Sequence, residues 1–190
     1  SKAEISSKRK AFRISDYHKI LEACPAQDTL LHALIRLSAY TGCRIEELCI
    51  LKVENITKDR FEVIDAKSEA GWRTVPIHPH ITDLVNTLKS CTNDEYLLPE
   101  LTLNKYGERS NAIGKRFGRL KTKLGYGEDY VFHSFRKGFA TMLENAGQQR
   151  NISARLMGHE LGDQTYGGYS DGVIFERLVE AISHINWKNI

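Results

Sequence analysis

The chain has 190 residues with 41% hydrophobic and 27% charged side chains, the balance of one soluble globular domain with room for a sizeable core. No apolar run approaches the roughly 20 residues that span a bilayer, and no signal-peptide core opens the chain, so a membrane partner is not expected and a cytoplasmic setting is. A net charge of +3 is too small to name a partner, and the four scattered cysteines, Cys24, Cys43, Cys49 and Cys91, lack the spacing of a zinc site and are expected reduced and mostly buried.

Residues 1–10 are polar and basic and read as a linker or arm, with a single domain over 11–190. Ser15 is placed to cap a helix starting at Asp16. Leu30, Leu31, Leu34, Ile35 and Leu37 keep helical spacing up to a stop at Gly42, and a further helix is expected over 44–51. Phe61, Val63 and Ile64, a turn over 68–71 and a run over 72–77 suggest a β-hairpin. Helices follow around Ile81–Leu88, Asn111–Leu124, Ser134–Asn145 and Ile152–Met157. The tail then sets Ile174, Leu178, Ile182 and Ile185 on one face, to dock on its own domain or on a neighbouring subunit. The fold class is therefore mainly α with a small antiparallel sheet.

Between Lys105 and Lys137 nine basic residues face three acidic ones. At about 100° per residue, Lys115, Arg116, Arg119 and Lys123 fall on one helix flank, and with Lys137 they are candidate contacts for the phosphates of double-stranded DNA. A solvated helix face would look the same from charge alone.

Two arginine segments carry more chemistry. Thr41-Gly42-Cys43-Arg44-Ile45-Glu46-Glu47-Leu48 is one, and His133-Ser134-Phe135-Arg136-Lys137 is the other. His133 and Arg136, three apart on a helix, share a side and can face one phosphate, for which the planar guanidinium fork is suited. Leu156-Met157-Gly158-His159 and Thr165-Tyr166-Gly167-Gly168-Tyr169 follow. Cations to stabilise a pentacoordinate phosphorane, a proton donor for the leaving oxygen and a phenol to attack form a coherent set. His78 and His80 flank Pro79 without a third ligand and read as loop residues; no Gly-x-x-x-x-Gly-Lys loop suggests ATP, and Glu46 and Glu47 point apart on a helix rather than pairing for two metals.

In this order the segments resemble the tyrosine recombinase (phage integrase) family over almost the whole chain, beginning with Arg9-Lys10-Ala11-Phe12-Arg13-Ile14-Ser15-Asp16-Tyr17. The resemblance implies that Arg44, Arg136 and His159 hold the scissile phosphate, with Glu47 supporting Arg44 and His133 assisting proton transfer. Lys67, nine residues before Pro76, then corresponds to the hairpin lysine that protonates the 5′-oxygen. Tyr169, rather than Tyr166, corresponds to the nucleophile. Lys137 stands where the family often has histidine, and Tyr169 lies ten rather than nine residues after His159.

The implied activity is site-specific DNA cutting and rejoining through a 3′-phosphotyrosyl link, with no metal and no cofactor. The implied partners are duplex DNA bearing a recombination site, three further copies in a tetramer on DNA from a monomer in isolation, and accessory DNA-bending or directionality proteins. A bacterial or phage gene and a nucleoid-associated protein are expected, with the family's N-terminal DNA-clamping domain outside this chain. A type IB-like topoisomerase and a non-catalytic DNA-binding regulator of the same fold are the alternatives.

Overall fold

The computed structural model describes residues 9–64, 72–159 and 174–188. Among them the chain folds into α1 (Ile14–Ala23), α2 (Thr29–Thr41), α3 (Ile45–Cys49), a 3-10 turn at Val53–Asn55, strands β1 (Arg60–Val63) and β2 (Arg73–Pro76), then α4 (Pro79–Cys91), α5 (Ser110–Lys123), α6 (Ser134–Asn145), α7 (Arg150–Met157) and α8 (Phe175–Ile182). The two strands pair antiparallel, with Phe61 opposite Val75 and Val63 opposite Arg73. Both aromatic and β-branched residues of β1 face inward, in the alternation a half-buried hairpin requires.

Helix α2 is the central element. Leu31, Leu34, Ile35 and Leu37 are buried, and α2 packs against α6, whose Phe135 and Phe139 are buried as well. Asp28 caps α2 by accepting the Leu31 amide (3.2 Å), and Gly42 ends it in the left-handed conformation at φ +65°. A side chain at Gly42 would also meet the Phe139 ring at 2.5 Å, so the turn into Cys43 and Arg44 needs glycine for two reasons.

The helix expected from Asp16 starts earlier, at Ile14. Ser15 lies inside its first turn, and Asp16 reaches back to the Arg13 amide (2.8 Å) instead. His80 is a helix residue rather than a loop residue, and His78 stands in extended backbone immediately before that helix. Pro79 occupies the first helical position of α4, where its missing N–H costs nothing, and His78 caps that helix by accepting the His80 amide (3.1 Å). The His78 ring is buried beside Tyr40, with centroids 4.8 Å apart. Cys24, Cys43 and Cys49 are buried free thiols, whereas Cys91 at the end of α4 is exposed.

The tail docks on its own domain. Leu178, Ala181, Ile182, Ile185 and Trp187 are buried, and α8 packs on β2 and α7. Trp187 is fully enclosed, lies tilted against Tyr17 with ring centroids 5.2 Å apart, and donates its indole N–H to Ala39 O (2.7 Å). Ile174, expected on the buried face, is 64% exposed because it precedes the helix as its cap residue.

Candidate active site

The site forms where three chain turns converge: the start of α3, the start of α6, and the end of α7. Glu46 and Glu47 diverge as adjacent helical residues must. Glu46 turns outward to accept the Arg109 and Ser110 amides (2.9 and 2.8 Å), which caps α5. Glu47 turns inward. Its carboxylate accepts the Arg44 amide on Oε2 and the Arg44 Nη1 on Oε1, both at 2.7 Å. The Arg44 side chain remains 43% exposed, with the rest of its guanidinium free to meet a ligand.

Arg136 is the buried counterpart. From the first turn of α6 it donates Nη1 to Gly42 O (2.8 Å) and Nη2 to Met157 O. Those carbonyls are the unpaired acceptors at the ends of α2 and α7, where partial negative charge collects and a cation is favoured. Arg136 Nη2 also lies 2.9 Å from His159 Nε2, which makes that nitrogen the acceptor and leaves the proton on Nδ1. The Arg136 Nε is buried with no hydrogen-bond partner, so one edge of this fork is unused. Burial and the charge of Arg44 lower the Arg136 pKa, though it stays cationic at neutral pH.

Gly158 makes the turn that presents His159. It ends α7 at φ +62°, and the His159 amide closes back on Ala154 O (2.9 Å). Partial burial, then Arg136 and Arg44, lower the pKa of His159. His133, at the cap position of α6, is pushed down to about 4 by burial and then by Arg136, Arg9, Arg44 and Lys137. The residue also keeps an exposed face. Both imidazoles are therefore neutral at pH 7.

Arg44, Glu47, His133, Arg136 and His159 are thus brought together. Lys67, Tyr166 and Tyr169 lie outside the described residues. One member was not expected. Arg73, on the inward side of β2, holds both oxygens of Glu47 through Nη1 (3.1 Å) and Nη2 (2.8 Å) and donates Nε to Leu156 O (2.9 Å). Its alternation with buried Val75 was the available signal, because a cation on the apolar face of a strand must have a partner.

The basic flank divides. Lys115, Arg119 and Lys123 are exposed on α5, whereas Arg116 pairs with Asp28 (3.2 Å) and Lys137 donates to Arg9 O (2.6 Å). Arg109, counted in the same basic stretch, is buried against Tyr96 and bonded to Cys49 O and Leu98 O. Among the described residues, no three His, Cys, Asp or Glu side chains gather as a metal site, and no helix is long and apolar enough to cross a membrane.

A mostly helical domain with a two-stranded hairpin is the fold of tyrosine recombinase catalytic domains. Solved structures share it. A lambda integrase tetramer bound to a Holliday junction superposes with a TM-score of 0.63 at 21% identity, over 80% of this chain and 47% of that one. A XerA recombinase gives 0.61 at 21% identity, over 91% and 62%. The Tn1549 transposon integrase in complex with circular intermediate DNA gives 0.65 at 19%, over 93% and 67%.

The phage integrase family model matches residues 10–171, and the chain belongs to that family. Among curated proteins, tyrosine recombinase XerA of Pyrococcus furiosus is 30% identical over 156 residues, which are 79% of this chain and 53% of that protein. The XerA of Thermococcus kodakarensis is 27% identical over 157 residues, with 79% and 54% covered. The chain spans about half the length of these curated relatives.

Proposed function

We propose that this chain is the catalytic domain of a site-specific DNA recombinase that cuts and rejoins DNA through Tyr169. The observation that supports this most is the gathering of two guanidinium groups with two imidazoles, in which Arg136 Nε is buried without a hydrogen-bond partner while its Nη atoms hold Gly42 O, Met157 O and His159. A phosphodiester's non-bridging oxygens suit that unused edge and the open side of Arg44.

The Tyr169 oxygen attacks phosphorus, a P–O(Tyr) bond forms, and the P–O5′ bond breaks. Neutral His133 takes the phenolic proton, and Lys67 gives one to the departing 5′-oxygen. Arg44, Arg136 and His159 stabilise the charge that develops on the phosphorane oxygens. The phosphotyrosine conserves the bond energy, so a 5′-hydroxyl from a partner strand reverses the steps without ATP. Lys115, Arg119 and Lys123 follow the DNA backbone beside the site. A lambda integrase tetramer bound to a Holliday junction supports an assembly of four copies on two duplexes, with accessory DNA-bending or directionality proteins as further partners and the cytoplasm as the setting.

A nicked suicide substrate bearing the cognate site tests this. Wild type forms an SDS-resistant DNA adduct with a chelator present; Tyr169→Phe abolishes it and Tyr166→Phe retains it. Plasmid relaxation without site preference would instead favour a topoisomerase, and absence of any adduct would favour a DNA-binding regulator.

A further inference from the structure

Arg44 is held by Glu47, and Glu47 is held by a residue from a different part of the fold. The Arg73 side chain is only 5% exposed and that of Glu47 7%. Oε1 of Glu47 accepts from Arg44 Nη1 and Arg73 Nη1, and Oε2 accepts from the Arg44 amide and Arg73 Nη2. Four donors fill the roughly four lone-pair sites of a carboxylate, which leaves Glu47 one orientation. Arg44, on a long and partly exposed stem, has no comparable restraint of its own.

The same guanidinium reaches the other half of the pocket. Arg73 Nε donates to Leu156 O in the last turn of α7, and a Cβ added at Gly158 would lie 2.6 Å from Arg73 Nη1. The residue immediately before His159 therefore packs on Arg73. One buried side chain contacts both the support of Arg44 and the turn that aims His159.

We propose that Arg73 is a positioning residue for phosphoryl transfer: it sets the Arg44 guanidinium and the His159 turn in register without touching the phosphate. The inference rests on reading this pocket as the phosphate site. Lysine at this position keeps the charge but cannot span both oxygens of Glu47 and Leu156 O together, so Arg44 gains freedom while the carboxylate keeps a cation.

The experiment measures single-turnover strand cleavage at saturating DNA, for wild type and Arg73→Lys, on a phosphate substrate and on one with a methylphosphonate at the scissile position. The methyl group removes the non-bridging negative charge that the arginines meet. Arg73→Lys is expected to slow cleavage of the phosphate substrate roughly 10- to 100-fold with unchanged DNA affinity, and to differ from wild type by less than about threefold on methylphosphonate. A variant that is merely less folded loses the same factor on both.

If the lysine variant does not fold, the double variant Arg73→Gln with Glu47→Gln leaves no uncompensated buried charge and is expected to show the same substrate-selective loss. Cleavage of phosphate at the wild-type rate, or equal losses on both substrates, would overturn the role of Arg73. Failure of wild type to cleave would instead overturn the reading of the pocket.

Discussion

Replacing Glu47 by glutamine removes one negative charge from a site built around it. Arg73 is then left deeply buried with its fork facing an amide, and breaking such a pair from one side costs about 3–5 kcal/mol. The carboxyl's own titration leads to a similar figure. Burial alone would raise its pKa, but Arg73 and the two donors of Arg44 outweigh that and hold it down to about 2 from an ordinary 4.5. A carboxyl lowered that far contributes about 3 kcal/mol at neutral pH. The stabilisation is fully present above about pH 4.5 and is lost as pH falls through about 2.

Urea unfolding followed by tryptophan fluorescence reads this, because Trp187 is fully buried and Trp72 is already half exposed. With a slope of about 2 kcal/mol/M, Glu47→Gln should lower the midpoint by about 2 M at pH 7. Wild type should approach the variant as pH falls from 4.5 towards 2. A midpoint shift below about 0.5 M at pH 7 would refute the argument that Glu47 is an ion-paired keystone rather than a solvated acid.

Trp187→Ala should cost about 3–5 kcal/mol by thermal or urea unfolding, since it empties an enclosed indole site and orphans Ala39 O; an unchanged midpoint would mean that the tail does not dock on its own domain in solution. Burial, then His80, pushes the His78 pKa down to about 4, so the unfolded chain takes up a proton first as pH falls below about 6.5 and stability declines towards pH 4. His78→Asn keeps a capping acceptor without that titration, and its urea midpoint should fall less between pH 7 and pH 5 than that of wild type. Replacing Lys115, Arg119 and Lys123 together by alanine should reduce the slope of log affinity for DNA against log salt by about 2 to 3; an unchanged slope would remove the α5 flank from the interface.

The bounds of α6 were legible to the residue, because Phe135, Phe139 and Leu143 repeat at helical spacing between Ser134 and the Ala146-Gly147 break. The left-handed turn at Gly42 was legible as a helix stop, whereas Gly158 was legible only as part of the motif that leads to His159. Their second role was not legible, because the close approaches of Phe139 and Arg73 come from elements distant in sequence. Arg44, Arg136, His133 and His159 stood out through their grouping into short motifs. Arg73 stood alone in a four-residue strand, and its importance arises only when β2 is laid beside Glu47. His80 was misread for a similar reason: Pro79 looks like a loop marker until it is recognised as the first residue of a helix. Charge counting also overstated the basic flank. Composition cannot tell exposed Lys115 from Arg109, whose guanidinium satisfies carbonyls inside the fold.

The central claim is that phosphorus transfers from DNA to one tyrosine beside these arginines. Trypsin digestion of the DNA adduct followed by peptide fragmentation identifies the attachment directly. The peptide over residues 156–177 contains both Tyr166 and Tyr169. The account predicts a 3′-linked phosphodiester on Tyr169 within that peptide; attachment at any other residue, or a 5′-linkage, would contradict it.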